Sequence, residues 1–367
     1  MPNTPPHKGS IEAIPSYTST QEQQTQSHYQ QRWIRRNAII AGLALALALA
    51  LATDVATGPA GIEMSRLWQI LWAPESVPHV QAVIVWNVRL PYALMAVLVG
   101  AALALAGTEM QTVLNNPLAS PFTLGVSAAA SFGAALAIVL QIGIPGVPVQ
   151  YLISANAFLF ALGSVALLYM LARWRGFNVD SLVLFGIALV FAFNALVALM
   201  QFVASQDSLQ QLVFWTLGSL ARASWDKLII LALALALCLP FSLRHSWSLT
   251  ALTLGEDRAQ SFGINVARLR LMSLLRISLV SALAVSFVGT IGFIGLIAPH
   301  IARLLVGEDH RLLIPASVLT GALIMSLAST ATKVLIPGVL IPVGIVTALV
   351  GIPFFMAIVM RRQGGQP

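Results

Sequence analysis

Ionisable side chains are concentrated in one interior stretch of the sequence, which runs from Leu243 to Arg276. Apolar residues press on this stretch from both sides, and its charged residues are Arg244, Glu256, Asp257, Arg258, Arg268, Arg270 and Arg276. The apolar residues between these charges suit a short amphipathic helix, a break at Gly263 and a second short helix. So charged a segment is expected to lie in water. Its pattern is typical of a helix on a membrane surface or in a groove of a partner protein. The alternative is a cytoplasmic loop whose arginines only fix topology.

The rest of the sequence offers little that could do chemistry. A phosphate-binding loop of the GxxxxGK[ST] type needs a lysine, and none of Lys8, Lys227 and Lys333 stands in such a motif. We find no paired carboxylates, no metal-ligand spacing and no nucleophile beside a base. We therefore expect no enzyme, no ATP hydrolysis by this chain alone, and no metal or other cofactor bound by it.

Four isolated polar residues receive structural interpretations. Glu109 is predicted to be a solvated residue at a helix end, with a relay or gating carboxylate as the alternative. His300 has no second His or Cys nearby in sequence and is predicted to pack at an interface. Cys238, the single cysteine, lies in an apolar run and is predicted to be a packing residue. Asp309 is predicted to cap the helix that follows it.

The elements that must position these residues are membrane helices. Of 367 residues, 58% are hydrophobic and 9% are charged, which is too apolar for a soluble globule. The net charge of +7 does not indicate nucleic-acid binding, because the arginines fall at the ends of apolar spans. A span needs about 20 apolar residues to cross roughly 30 Å of hydrocarbon. Ten segments qualify: 38–57, 89–108, 122–142, 149–171, 181–204, 226–243, 269–289, 290–306, 312–336 and 340–360.

The charge distribution predicts a cytoplasmic amino terminus. Residues 1–36 are predicted to form a disordered cytoplasmic tail, 37–362 the transmembrane domain, and 363–367 a short cytoplasmic tail. On this topology 15 of the 20 lysines and arginines lie at or near the cytoplasmic face. The charged stretch between the sixth and seventh spans is then cytoplasmic. The exceptions are Arg66, Arg89, Arg222, Lys227 and Lys333.

Two regions depart from the regular pattern of spans. The apolar piece Leu212–Leu220 is too short to cross and is predicted to be a short helix near the outer mouth. The eighth span carries Gly289, Gly292, Gly295 and Pro299, a spacing that lets helices approach closely. The sequence leaves open whether this span moves or is a kinked structural helix.

The span interiors hold almost no ionisable residues, whereas carriers driven by protons or sodium keep such residues in mid-membrane. A multi-span transporter with neither an ion relay nor a nucleotide site is best explained by a separate ATPase that acts on the charged stretch.

Six motifs then indicate a family. They are RLPYALMAVLVGAALALAG from Arg89, Gln111 with NPLASP from Asn116, FWTLGSL from Phe214, GEDRAQSFGINVARLR from Gly255, GTIGFIGLIAPHIARLLVGEDHR from Gly289, and PVGIVTALVGIPFF from Pro342. Over Arg89–Arg362 the chain resembles the permease subunits of type II ABC importers for ferric siderophores, haem and cobalamin, the FecCD family.

The resemblance implies an all-α, polytopic membrane fold with about ten transmembrane helices. It implies two permease subunits, identical or paralogous, around a central pathway in the bacterial inner membrane, with both termini cytoplasmic. It also implies an ATPase dimer inside, which binds ATP and Mg, and a substrate-binding protein outside. Membrane lipids are expected partners, and nucleic acid is not.

The resemblance assigns roles to residues. The segment at about 252–270 matches the coupling helices that sit in clefts of the ATPase. Arg89 and Lys333 match docking residues for the binding protein, with snorkelling to the outer interface as the alternative. The coupling residues are Gly255, Glu256, Arg258, Ala259, Gly263, Arg268 and Arg270. The pathway residues are Asn194, Met200, Gln201, Gln210 and Gln211.

Several positions depart from the family pattern. Tyr92 stands where the family often has arginine, Ser329 and Leu340 where Asp and Glu are common, and Glu109 replaces an apolar residue. Haem permeases tend to carry an arginine near the start of the short outer helix, where this chain has glutamines. The expected cargo is therefore a ferric siderophore, with haem or cobalamin as the alternative and an ion-coupled secondary transporter as the runner-up.

Overall fold

The computed structural model describes residues 19–58, 61–141, 148–174, 179–336 and 338–363, and within these ranges the chain is helical without strands. Residues 1–18 of the predicted tail and residues 364–367 lie outside the described residues. The α-helices are α1 (Ser19–Ala56), α2 (Met64–Trp72), α3 (His79–Val83), α4 (Leu90–Val113), α5 (Val126–Val139), α6 (Val149–Trp174), α7 (Val179–Val203), α8 (Gln206–Thr216), α9 (Trp225–Arg244), α10 (Ser246–Leu252), α11 (Glu256–Ser261), α12 (Val266–Val288), α13 (Ile294–Val306), α14 (His310–Val334) and α15 (Val343–Gln363).

Helices of membrane-spanning character match the ten predicted segments. Within the described residues seven are long and apolar enough to cross a bilayer, and three shorter apolar helices, in α5, α13 and α15, complete the set. The predicted spans 122–142 and 290–306 are too long, since α5 has 14 residues and α13 has 13. The chain before α13 is not helical because Gly289 (φ 84°) and Phe293 (φ 69°) hold left-handed backbone.

α1 also differs from the sequence-based expectation. It begins at Ser19, so residues 19–36, which were assigned to the disordered tail, continue the first span as helix. This segment is rich in glutamine, which has good helix propensity, and it contains neither proline nor glycine. A formed helical span therefore extends into it at low cost.

The second span is longer than predicted. A π-helical segment, Ile84–Arg89, joins α3 to α4, and the stretch His79–Val113 is continuous enough to count as one apolar helix. Pro91 follows directly after the π-helical segment, and its ring removes one N–H donor from this continuous stretch.

α4 lies at the centre of the core and is buried over most of its length. It packs against α12, α13 and α14. Gly107 touches the backbone of Gly295 in α13 so closely that a Cβ atom would overlap the Gly295 carbonyl oxygen. The predicted close approach of the glycine-rich span is therefore confirmed, and α4 is its partner.

The bundle has two ends, which we call the α11 end and the α8 end. α9 runs from the α8 end at Trp225 to the α11 end at Arg244. The short helix predicted at Leu212–Leu220 is α8, which begins earlier, at Gln206, and ends at Thr216. A 3₁₀ turn, Leu220–Arg222, follows it. The backbone N–H of Ser219 donates to the carbonyl of Val288 (2.7 Å), which fixes this turn to the end of α12.

Candidate functional site

The charged stretch folds into α10, α11 and the beginning of α12. The predicted break is confirmed at Gly263, where φ is +79° and a Cβ atom would meet nothing within 4 Å among the described residues. Asn265 then caps α12 by accepting a hydrogen bond from the Arg268 N–H (2.9 Å). The second helix is not short, because Val266 opens a 23-residue helix that continues into the bundle.

Contacts of α11 divide the predicted coupling residues into two groups. Ala259 is fully buried, and the guanidinium of Arg270 pairs with Glu256 (2.9 Å) and donates to the Val113 carbonyl (3.3 Å). Only 7% of the Arg270 side chain is exposed, against 46% for Glu256. The expectation that the whole stretch lies in water is therefore wrong for Arg270, which ties α11 to α12 and to the end of α4.

The other coupling residues form the exposed surface of the α11 end. Arg258 and Arg268 are exposed, Gly263 is exposed between them, and Gly255 (φ +109°) opens α11. Phe262 and Trp247 are each more than half exposed, and their ring centroids are 6.1 Å apart. Both rings and Arg268 line a cleft of about 510 Å³. The exposed rings and arginines make an amphipathic surface that fits a groove of a partner better than bulk water.

Glu109 is not a solvated helix-end residue, and this prediction is wrong. Its carboxylate is 1% exposed, and it accepts hydrogen bonds from Arg276 (2.7 and 3.0 Å) and from the Ser242 hydroxyl. Ser273 also accepts from Arg276 (3.0 Å). The bidentate pair joins α4, α9 and α12, so a carboxylate that departs from the family pattern is neutralised by an arginine of the charged stretch.

A second buried ion pair lies at the α8 end. Lys333 donates to the Asp54 carboxylate (2.8 Å), and their side chains are 5% and 0% exposed. Ser329 also donates to this carboxylate, and Tyr92 is hydrogen-bonded to Thr332 (3.0 Å). The departures from the family pattern at Tyr92 and Ser329 thus belong to one network around Asp54.

Arg89 is buried as well. Its guanidinium donates to the carbonyls of Val55 (3.3 Å) and Ala56 (2.9 Å), which are the last turn of α1. The docking prediction for Arg89 and Lys333 requires positive charge exposed at the outer surface, and neither side chain presents it. Instead both residues hold the end of α1. Arg89 donates to carbonyl groups at the C-terminus of this helix, which attracts cations, and Lys333 pairs with Asp54.

The predicted pathway residues lie on α7 and α8. Asn194 and Gln201 are seven residues apart, so they share one face of α7, where Asn194 is exposed and Gln201 half-buried. Met200 packs against the cluster of α5, α6 and α8 instead. Gln210 and Gln211 are exposed on α8.

The remaining isolated residues behave as predicted. Asp309 caps α14 by accepting from the Arg311 N–H (3.1 Å), and Cys238 is buried in the core. His300 lies edge-on to Phe354 of α15, with ring centroids 6.3 Å apart.

Sequence reasoning missed two residues, Asp54 and Arg276. The signal for Asp54 was present, because it is the one charged residue of the segment 38–57 and Lys333 is the one in 312–336. Opposite charges that are isolated in apolar spans pair with each other. Arg276 was hidden because it follows other arginines in the sequence.

Comparison with known proteins agrees with this architecture. A family model described as the FecCD transport family matches residues 19–361. The chain belongs to the FecCD transport family. The predicted family and fold class are therefore confirmed, and the chain is a multi-pass membrane protein of the ABC importer class.

Relatives in this family are named for different cargoes. The chain is similar to the hemin transport system permease protein HmuU of Yersinia pestis, with 38% identity over 283 residues, 76% of this chain and 84% of that protein. It is 34% identical over 332 residues to the molybdate import system permease protein MolB of Haemophilus influenzae, 89% of this chain and 96% of that protein. A solved metal-chelate type ABC transporter in an inward-facing conformation matches with a TM-score of 0.77 and 32% identity, over 89% of this chain and 99% of that one.

Proposed function

We propose that the chain is the permease subunit of an ABC importer that moves an iron chelate of the ferric siderophore class into the cytoplasm. The observation that carries the proposal is the α11 end, where exposed Arg258 and Arg268 flank exposed Phe262 beside a cleft. An ATPase dimer that holds ATP and Mg engages this surface. The α11 end is then cytoplasmic, and the α8 end is outer.

Rigidity of α11 supports force transfer. The buried Arg270 connects Glu256 at the start of α11 to the carbonyl of Val113 at the end of α4. A push on α11 is therefore delivered to the central helix of the core instead of being absorbed by a loose loop. The backbone contact between Gly107 and Gly295 passes the displacement on to α13.

The orientation is tested by labelling. A cysteine replacing Ser261, at the exposed end of α11, is expected to resist membrane-impermeant maleimide in intact spheroplasts and to react after permeabilisation. Cys238 is buried and supplies a low background. Labelling in intact spheroplasts would place the α11 end outside and overturn the proposal.

The exposed glutamines at the α8 end support the choice of cargo. Gln210 and Gln211 offer amide groups on α8 where a haem permease is expected to present an arginine. The 38% identity to a hemin permease supports haem as the second candidate. Uptake in proteoliposomes with the cognate ATPase and binding protein is expected for a ferric siderophore and not for haem; the reverse would replace the siderophore by haem.

Ion coupling is tested by the same proteoliposomes. Glu109 is buried between Arg276 and Ser242, where its carboxylate joins α4, α9 and α12. Uptake is expected to need ATP and to persist without a proton gradient. Uptake driven by a gradient alone would favour a secondary transporter.

The second permease subunit is proposed to cover α7. Only 17% of the residues in the most apolar 18-residue stretch of α7 are buried within the chain. Phe191 and Phe202 of this helix are more than two-thirds exposed. Asn194 lies on this same helix and would face the shared pathway. Crosslinking through cysteines at Phe191 is expected to give a dimer of permease chains.

A further inference from the structure

A cavity of about 440 Å³ opens at the α8 end of the bundle. The end of α5, the beginning of α6, α8, the 3₁₀ turn and the beginning of α9 surround it. Side chains with polar groups in its lining are Gln150, Tyr151, Ser154, Gln211, Trp215, Arg222, Ser224 and Lys227.

Two cations share this cavity, and no acidic residue lines it among the residues that the structure describes. The Arg222 guanidinium donates to the Phe214 carbonyl (3.1 Å), and the Lys227 ammonium donates to the Arg222 carbonyl (3.0 Å). Both of these acceptors are neutral oxygens. Residues 142–147, which are next to the lining in sequence, are IGIPGV and contain no charge.

One N–H donor group of the Arg222 guanidinium has no hydrogen-bond partner among the described residues. Its Nη1 atom is buried without a hydrogen-bond partner among the described residues, while the guanidinium carbon lies 5.9 Å from the centre of the Trp215 ring. Burial lowers the pKa of Arg222, which reflects the cost of keeping this charge away from water. A buried donor and a nearby like charge both favour an incoming anion.

The other basic residues of this end differ. Arg66 hydrogen-bonds to Gln81 and Gln69, Arg89 donates to the end of α1, and Lys333 is paired with Asp54. Each of these three makes contacts that fix helices. The Nη2 atom of Arg89 is also buried without a partner among the described residues, but Arg89 does not line this cavity. Arg222 and Lys227 alone among the five line a common cavity.

We propose that this cavity is a binding site for an oxyanion, held by Arg222 and Lys227 with Gln211 as an additional donor. A carboxylate, a phosphate or a tetrahedral oxyanion matches two cations and amide or hydroxyl donors. Two sources carry this chemistry: a negatively charged cargo that arrives from outside, and the phosphate of a lipid headgroup. The site does not depend on ATPase binding, so it stands or falls separately from the proposed function.

The test is citrate binding to the full-length chain in nanodiscs of phosphatidylcholine. Citrate is expected to raise the thermal unfolding midpoint in a saturable way, since a ligand of the folded state stabilises it. Lys227→Gln is expected to raise the half-saturating concentration by about tenfold, the effect of losing one charge-assisted hydrogen bond. Arg66→Gln, which removes a charge from the same end but not from the cavity, is the matched control and should change nothing.

Arg222 needs a conservative variant, because its guanidinium also supports Phe214 and Trp215. Arg222→Lys is expected to retain citrate binding, and Arg222→Gln to lose it, with unfolding in the absence of citrate measured for both. Absence of any citrate effect in the wild type in both lipids, or equal binding by Lys227→Gln and wild type, would overturn the proposal. Equal weakening in Arg66→Gln would show a general charge effect and would also overturn it.

Lipid composition distinguishes the sources. If phosphatidylglycerol in the nanodisc raises the half-saturating citrate concentration of the wild type but not of Lys227→Gln, the lipid phosphate competes for the cavity. If it leaves the wild type unchanged, the site takes the soluble oxyanion. Either result supports the proposed chemistry and names its source.

Discussion

Arginines of the charged stretch Leu243–Arg276 are buried at the contact between α4 and α12 but exposed at the α11 end. Arg276 is buried beside Glu109, whereas Arg268, two turns earlier in α12, is exposed. The buried side of α12 runs through Leu269, Ser273 and Arg276, which are spaced three or four apart. Helix phase therefore decides which charges hold the bundle and which remain free for a partner.

The strongest test of this contrast is Arg276→Met. It leaves the Glu109 carboxylate buried without its cation, and loss of one partner from a buried pair costs about 3–5 kcal/mol. Unfolding in detergent, followed by tryptophan fluorescence, should show this loss. The double variant Glu109→Leu with Arg276→Met should recover most of it, because a buried pair replaced by apolar residues is close to neutral. A double variant as unstable as the single one would contradict the pairing.

Asp54→Asn tests the pair at the α8 end and should cost less, about 2–3 kcal/mol. Lys333 keeps its hydrogen bond to the Asp54 carbonyl (2.7 Å), and the new amide still accepts from Ser329. The same unfolding measurement applies. The double variant Asp54→Asn with Lys333→Met is expected to recover most of the lost stability. An Asp54→Asn single variant as stable as the wild type would show that this ion pair is dispensable.

Arg268→Glu and Arg270→Glu form a matched pair, because the two residues are two apart in α12 and therefore lie on different faces of the helix. Arg268→Glu should leave stability within about 0.5 kcal/mol, as for an exposed substitution, but reduce recovery of the ATPase complex at least several-fold. Arg270→Glu should lower stability because it places two carboxylates together at Glu256. Unchanged complex recovery for Arg268→Glu would contradict the coupling assignment.

A smaller loss of stability than at either buried ion pair is expected at the cap of α14. Asp309→Ala should cost about 1 kcal/mol through the lost N-cap. Hydrogen bonding to Arg311 lowers the pKa of Asp309, so its contribution is present above the ordinary carboxylate pKa and is lost as pH falls through the lowered value. The wild type and Asp309→Ala should therefore converge in unfolding midpoint on acidification below pH about 4. Parallel curves would contradict this.

Apolar spans were predictable because each is a long run of one residue class. The apolar segments, the break at Gly263 and the cap at Asp309 depend on local sequence. Among the described residues seven of the ten segments are apolar helices long enough to span, the other three are shorter apolar helices, and the break and the cap are present. Where spans begin was less predictable: α13 starts late because of the backbone at Gly289 and Phe293, which hydropathy does not report.

Partners of buried charges could not be predicted with the same ease. Glu109 and Arg276 are 167 residues apart, and the pairing depends on how α4 and α12 turn toward each other. Arg270 was expected to lie in water and is buried for the same reason, since its burial depends on how α12 packs against α11 and the end of α4. Docking by Arg89 and Lys333 was expected from the family resemblance and from their place outside the cytoplasmic charge pattern. Neither of these shows that both residues contact the end of α1.

The contacts of Arg89 and Lys333 with the last turn of α1 have a consequence for truncation of the chain. Only 17% of the residues in the most apolar stretch of α1 are buried, so this helix would look expendable in a shortened version of the chain. Yet its last turn carries the counter-charge of Lys333 and the acceptors of Arg89. Deleting it would strand two cations inside the remaining helices, so a minimal version of this protein must either keep that turn or neutralise both residues.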